Sequence, residues 1–166
     1  MKFEIDNTFT GISRDAYEKL FLDETFNEAM KAVAGLKTRE LLESRQDNGR
    51  LYRKIKVIPD RELPAIMKKL ANGDLVNTED SWFDPVKHQL EWKSAMSVMT
   101  DKIKVSGLIE FLEAPGGARR RLNGEIKVSI FGVGGMIEKA VVDNIVETYV
   151  KITAFTQKWI NEKKVA

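Results

Sequence analysis

The sharpest hydrophobic pattern in this chain lies between residues 133 and 163. Apolar side chains recur there at three- and four-residue spacing, as one face of an α-helix requires. They are Ile137, Val141, Ile145, Tyr149, Ile152, Phe155 and Trp159. Charged residues from Lys139 to Lys151 follow at i,i+4 spacing on the opposite side. The pattern predicts one amphipathic helix, roughly 45 Å long at about 1.5 Å per residue, that buries one face in the protein core.

Alternating apolar and polar residues predict β-strands in the first third of the chain. Residues 2–10 alternate in this way, and Asn7 shares the phase of the apolar positions in that strand. Residues 36–58 predict a hairpin, because Asn48-Gly49 near its middle readily adopts the positive φ angles of a tight turn. In the second strand of this hairpin, Arg53 lies in phase with three apolar residues and is expected to point inward.

Four further runs of alternation in residues 75–131 predict four more strands. Three short helices are predicted between the strands. The first begins at Ser13, a good N-cap, and runs to Leu22. The second covers residues 25–34, and the third covers residues 63–70, where Leu63, Ile66, Met67 and Leu70 share a face behind Pro64, and ends at Asn72-Gly73.

About six or seven strands followed by one long helix define an α+β architecture. Local hairpins favour antiparallel pairing, and the long helix must bury its apolar face against another surface. The concave face of a curved sheet is the only surface large enough for it. We therefore expect a curved antiparallel sheet wrapped around the C-terminal helix, with small helices inserted early, in a single domain over residues 1–166.

The junction between the last strand and the long helix carries a family resemblance. Residues 124–139 read GEIKVSIFGVGGMIEK and resemble the end of START-like domains, also called SRPBCC or helix-grip domains. In those domains the last strand enters the long helix through a Gly-Gly step. Residues 61–73 are similar to one bacterial branch of that superfamily whose function is unassigned.

The resemblance implies a helix-grip fold with a tunnel under the long helix. START-like domains commonly hold lipids, sterols, polyketides or other apolar molecules there, and some are enzymes or co-chaperones. A structural role is expected for both Gly134 and Gly135, because glycine permits unusual backbone angles and close packing. The alternative of a phosphate site is disfavoured, because the spacing matches neither a P-loop nor a dinucleotide fingerprint.

Composition narrows the function classes. The formal net charge is only +2, which argues against nucleic acid as the main partner. The chain has no cysteine and one histidine, so thiolate and multi-histidine metal sites are excluded, and we expect no cofactor. Acidic residues interrupt the N-terminus, and no stretch approaches the ~20 apolar residues of a membrane span. The expected location is the cytoplasm.

A cavity under the long helix would be lined by the inward-facing side chains of the sheet and of that helix. The expected lining residues are Trp92, Met96, Ile109, Phe111, Ile126, Val128, Ile137 and Val141. Such an apolar lining suits a lipid-like or aromatic ligand better than a sugar or a nucleotide.

Three polar residues are candidates for orienting the polar end of a ligand. Arg53 would anchor a carboxylate or phosphate, or else pair with a neighbouring acid, because a buried charge is costly unless it is paired. Asn7 is a weaker candidate for the same two roles, contact with a ligand or a structural contact within the chain. His88, in phase with Trp92, would contact the ligand or act as a general base, or else fill a structural or surface position.

The function favoured by these patterns is a carrier or sensor of an apolar small molecule or lipid. The alternatives are a cyclase- or hydratase-type enzyme that uses polar groups of the pocket, and a protein-interaction module with a filled core. The run Arg119-Arg120-Arg121 follows a glycine turn and is expected to be a solvated strand end. An alternative role for this run of arginines is transient contact with anionic lipid headgroups.

Overall fold

A computed structural model describes residues 1–60, 62, 65–70 and 75–165, and at residues 66, 67 and 70 it describes the backbone only. Within this part of the chain the strands are β1 (Lys2–Thr10), β2 (Leu36–Asp47), β3 (Arg50–Pro59), β4 (Asn77–Asp84), β5 (Gln89–Met96), β6 (Ile103–Ala114) and β7 (Gly117–Val128). The helices are α1 (Arg14–Leu22), α2 (Glu24–Met30), α3 (Ala65–Leu70) and α4 (Gly134–Lys163).

The seven described strands form one curved antiparallel sheet in the order β1-β7-β6-β5-β4-β3-β2. From β2 to β7 each strand pairs with its neighbour in sequence, and β1 closes the other edge on β7. The helix α4 packs against the sheet, mainly against β7 and β1. The predicted α+β helix-grip architecture, with a long C-terminal helix and small helices inserted early, is confirmed.

Local sequence signals explain most element boundaries. Ser13 caps α1, since its side-chain oxygen accepts a hydrogen bond from the Ala16 amide at 3.2 Å. Asn48 and Gly49 have φ angles of 50° and 80°, as a tight hairpin turn requires. The helix α2 is shorter than predicted: it ends at Met30, and residues 31–35 form turns. Of the predicted third helix, the backbone of 65–70 is helical, whereas Leu63, Pro64, Asn72-Gly73 and the side chains of Ile66, Met67 and Leu70 lie outside the described residues.

The Gly-Gly step at the start of α4 divides into two different positions. A Cβ atom at Gly134 would lie 2.5 Å from the Val128 carbonyl oxygen, so only glycine allows the helix to approach the end of β7 this closely. A Cβ at Gly135 would meet nothing within 4 Å, and its φ angle is not in the left-handed region. The prediction that Gly135 is structurally required is therefore not supported by its surroundings, whereas Gly134 is constrained.

The apolar face of α4 is only partly buried in the core. Ile137 and Ile152 are buried. Val141, Ile145 and Tyr149 are half-buried, since they border the core and also line an internal space. Among the described residues, no helix is long and apolar enough to cross a membrane.

Candidate ligand-binding cavity

A cavity of about 620 Å³ lies between the concave face of the sheet and α4. All seven strands contribute side chains to its lining, together with α1, α2 and the middle of α4. Most of these side chains are apolar, among them Phe3, Phe26, Leu90, Ile109 and Leu122. The volume falls within the range of roughly 300–1,000 Å³ typical of small-molecule sites.

Two glycines deepen the floor of this cavity. One row of paired residues across the sheet runs Trp92, Gly107, Gly124 and Phe3. A Cβ at Gly107 would lie 2.8 Å from the Trp92 ring, and a Cβ at Gly124 would overlap the Phe3 ring. Both aromatic rings therefore pack directly against glycine backbone, and a larger residue at either glycine would displace them. The buried indole Nε1 of Trp92 has no hydrogen-bond partner among the described residues.

One polar region of the cavity surrounds Arg53, which points inward as predicted and is 5% exposed. Its Nη2 donates to Oε1 of Glu24 at the start of α2. The Nη1 of Arg39 donates to the other oxygen of the same carboxylate at 2.7 Å. Arg53 is thus already paired within the chain, which is the structural alternative considered for it.

Glu79 lies beside this group and was not identified from the sequence. It lines the cavity, between Ile55 and Ser94 in the sheet register. Burial raises the pKa of its carboxyl above the ordinary value, although Arg39 and Arg53 oppose the shift. Among the described residues Glu79 forms no ion pair, because both arginines bind Glu24 instead. A carboxyl with a raised pKa keeps its proton to a higher pH than an ordinary carboxyl does, which suits proton transfer.

The second polar region is formed by Arg120 of β7, which was also missed. It is 1% exposed and lines the cavity. Its neighbours in the run behave differently: Arg119 and Arg121 pair with Asp6 on the convex face of the sheet. The expectation of three solvated arginines at a strand end is therefore wrong for Arg120. The strand phase would have revealed the inward orientation of Arg120, since Arg120 lies on the same face of β7 as Leu122, Gly124 and Ile126.

The predicted lining residues fall into two groups. Arg53, Trp92, Ile109 and Val141 line the cavity. The others are buried in the core without lining it: Met96, Phe111, Ile126, Val128 and Ile137. Their inward phase was predicted correctly, but α1 covers Phe111 and the start of α4 covers Val128, so those ends of the sheet are filled. Asn7 reaches the cavity region through its hydrogen bond to Arg120 at 2.6 Å.

His88 was expected to lie in the inward phase of β5, together with Trp92, and it does not. It occupies the turn before that strand with a φ angle of 54°. Its Nδ1 lies 2.6 Å from Oε1 of Glu18, so it ties the turn to α1 outside the cavity lining. Asp15 completes the one group of described residues whose ligand atoms, within 4.8 Å of one another, could hold a metal ion. Asp15 is however exposed and paired with Arg14.

Comparison with known proteins places the chain in a family. A family model described as "Protein of unknown function (DUF2505)" matches residues 6–160. The chain belongs to this family. No curated protein matches the chain by sequence.

Solved structures of similar fold share little sequence with it. TTHA0849 from Thermus thermophilus matches with a TM-score of 0.70 at 13% identity, covering 98% of this chain and 99% of that one. The Zhui aromatase/cyclase from Streptomyces sp. R1128 matches with a TM-score of 0.70 at 11% identity, covering 100% and 98%. Ara h 8.0201 matches with a TM-score of 0.64 at 12% identity, covering 93% and 96%. At these identities the likeness establishes the fold alone.

Proposed function

We propose that this protein binds an apolar small molecule or lipid in the cavity beneath α4, as a carrier or sensor, and that residues 1–166 act as one START-like ligand-binding unit. The observation that carries the proposal is the cavity itself, about 620 Å³ in volume and lined mainly by apolar side chains. A filled core, which the interaction-module alternative requires, is not what the described residues form.

The lining favours an apolar ligand for a physical reason. Transfer of apolar surface from water contributes roughly 25 cal/mol per Å², so a ligand that fills this space gains affinity without polar contacts. Trp92 and Phe3 offer flat faces on the floor, and Val141, Ile145 and Ile152 offer branched aliphatic groups from α4. A sugar or nucleotide would leave most of its polar groups unpaired here.

Filling the cavity tests this proposal. The uncharged dye Nile red should bind the wild-type protein with a rise in fluorescence. The substitution Ile145→Trp places an indole into the cavity and should weaken binding at least about tenfold. The matched control is Val146→Trp, since Val146 is the next residue of α4 and is 42% exposed. Equal loss of binding in both variants, or no binding to the wild type, would contradict the proposal.

A second function is favoured by Glu79. A carboxyl that faces the cavity and has a raised pKa suits proton transfer, as a cyclase- or hydratase-type enzyme needs. One neighbour in fold carries the name aromatase/cyclase, but that name describes the other protein.

Molecules that co-purify with the protein distinguish the two functions. Organic extracts of the wild type and of Glu79→Gln would be compared by mass spectrometry. A carrier should yield the same molecule from both proteins. An enzyme should yield product from the wild type and trapped substrate from the variant, with masses that differ by water. Identical extracts of a bound molecule would count against catalysis by Glu79.

A further inference from the structure

Arg120 is the most deeply buried charged residue among the described residues, and its charge is not balanced by its neighbours. A guanidinium stays protonated in proteins and offers five N–H donors. Burying such a charge is costly unless an anion and a full set of acceptors compensate it. The question is therefore which group supplies the negative charge beside Arg120.

The protein provides only neutral acceptors. Arg120 Nη1 donates to the Tyr17 hydroxyl at 3.1 Å, and Nη2 donates to Asn7 Oδ1 at 2.6 Å and to Thr153 Oγ1 at 3.2 Å. Thr153 gives its own proton to the Tyr149 carbonyl at 2.7 Å, which fixes its oxygen as an acceptor. Three of the five N–H groups are thus used, and the buried Nε has no partner in the described part of the chain.

The aromatic rings that pack against the guanidinium are also uncharged. The Tyr149 and Phe9 rings lie over it, with centroids 4.8 Å and 5.4 Å from its central carbon. Burial raises the pKa of the Tyr17 hydroxyl, and it raises the pKa of Tyr149 to about 12. Both phenols therefore keep their protons at neutral pH, and neither supplies the missing charge.

The acidic residues nearest to this site in the sequence or in the cavity do not pair with Arg120. Asp6, next to Asn7, pairs with Arg119 and Arg121 on the other face of the sheet. Glu79 shares the cavity but lies on β4, three strands from β7. The sheet register aligns Glu79 with Ile126, six residues along β7 from Arg120. No carboxylate of the described residues pairs with Arg120.

We propose that the cavity ligand is an amphipathic carboxylate whose headgroup is bound by Arg120. The guanidinium lies in the cavity lining with N–H groups unused, and the Tyr17 hydroxyl beside it has a proton to donate. The apolar body of the ligand then extends along the lining toward Trp92 and α4. This inference rests on the proposed function and specifies the chemical class of its ligand.

Displacement of Nile red by a matched pair of probes tests the inference. Decanoate and 1-decanol have the same alkyl chain and differ in the charged headgroup. At pH 8 decanoate should displace the dye from the wild-type protein at a concentration at least about tenfold lower than 1-decanol, since hydrogen bonds to charged groups contribute about 1.5–3 kcal/mol. Without the anchor the order should reverse, because the alcohol is the more hydrophobic probe.

Variants of the arginine run provide the controls. Arg120→Gln should lose the preference for decanoate while still binding Nile red, and Arg120→Lys should keep part of it. Arg121→Gln, a neighbour on the convex face, should behave like the wild type. Circular dichroism would establish that each variant is folded. If Arg120→Gln does not fold, the reduced preference expected for Arg120→Lys relative to the wild type decides instead.

The outcomes separate this inference from the function on which it rests. If Nile red binds but decanoate has no advantage over 1-decanol in the wild type, the carboxylate inference is overturned and an apolar-ligand function stands. If Arg120→Gln keeps the full preference, Arg120 is not the anchor. If neither the dye nor the two probes bind, the proposed function itself fails.

Discussion

Arg53 and Arg120 are both buried arginines of the concave face, yet their surroundings give them different roles. Arg53 meets the carboxylate of Glu24, 29 residues away in sequence, and shares that acidic partner with Arg39. Arg120 meets the hydroxyl of Tyr17, 103 residues away, and other neutral groups. Arg53, for which the sequence left a ligand anchor and a structural pair open, therefore has an acidic partner within the chain. Arg120 has no acidic partner among the described residues.

Glu79 makes the stability of the protein depend on pH in an unusual direction. Burial raises the pKa of the Glu79 carboxyl in the folded state above the ordinary value of 4.5. At pH values between these two pKa values the folded state therefore binds more protons than the unfolded state. Its contribution is fully favourable below pH 4.5 and declines as the pH rises through the folded pKa. We expect Glu79→Gln to gain free energy of unfolding relative to the wild type as the pH rises from about 4.5 to 8.

Urea unfolding at several pH values measures this difference. The control is Glu125→Gln, which changes an exposed carboxyl on the convex face of β7. Only the difference between Glu79→Gln and the wild type should grow with pH. A difference that is constant across the range would show that Glu79 ionises as easily in the folded state as in the unfolded state.

The element that most shapes the cavity is α4, and its position depends on its first residue. The helix begins where Gly134 passes the end of β7, close to the Val128 carbonyl. From there its inner face crosses the sheet, packing at Ile137 and Ile152 and leaving space between them. A small shift at the start of α4 would therefore change the cavity as well as the core.

Substitution of the two adjacent glycines distinguishes the effect of close packing on stability from the effect of helix propensity. Gly134→Ala should lower the free energy of unfolding by about 1–3 kcal/mol, because its Cβ would press on the Val128 carbonyl. Gly135→Ala should be neutral or stabilise by up to about 1 kcal/mol, since alanine is the better helix former. Chemical denaturation of both variants measures the contrast. Equal effects would mean that the close approach at Gly134 is not a constraint.

The whole molecule leaves a cavity because a curved sheet encloses more space than one helix fills. At one end Phe111 packs against Tyr17 and Phe21 of α1, and at the other the start of α4 covers Val128. Between these ends, the glycines at positions 107 and 124 place no side chain on the concave face of the sheet, which leaves more space above it. The result is a space with an apolar middle and two separate polar regions, around Arg53 and around Arg120.

Much of this was predictable from local pattern. Alternation with a period of two fixed the inward phase of Ile109, Ile126 and Val128, and the 3.6-residue period identified α4. The same alternation, extended back from Leu122, would have placed Arg120 inward, but its position in a basic run after a glycine turn suggested a solvated end. Glu79 escaped detection because both phases of β4 carry polar residues, so the pattern did not indicate which face is buried.

The sequence by itself determined the type and order of the elements and the side of the sheet to which most residues point. These properties follow from the spacing of neighbouring residues, which is a local quantity. Tertiary structure alone decided which inward residues face the cavity instead of packed core, and which buried charge has a partner. Both depend on contacts between distant parts of the chain, such as Glu24 with Arg53 and Tyr17 with Arg120, and no local spacing encodes them.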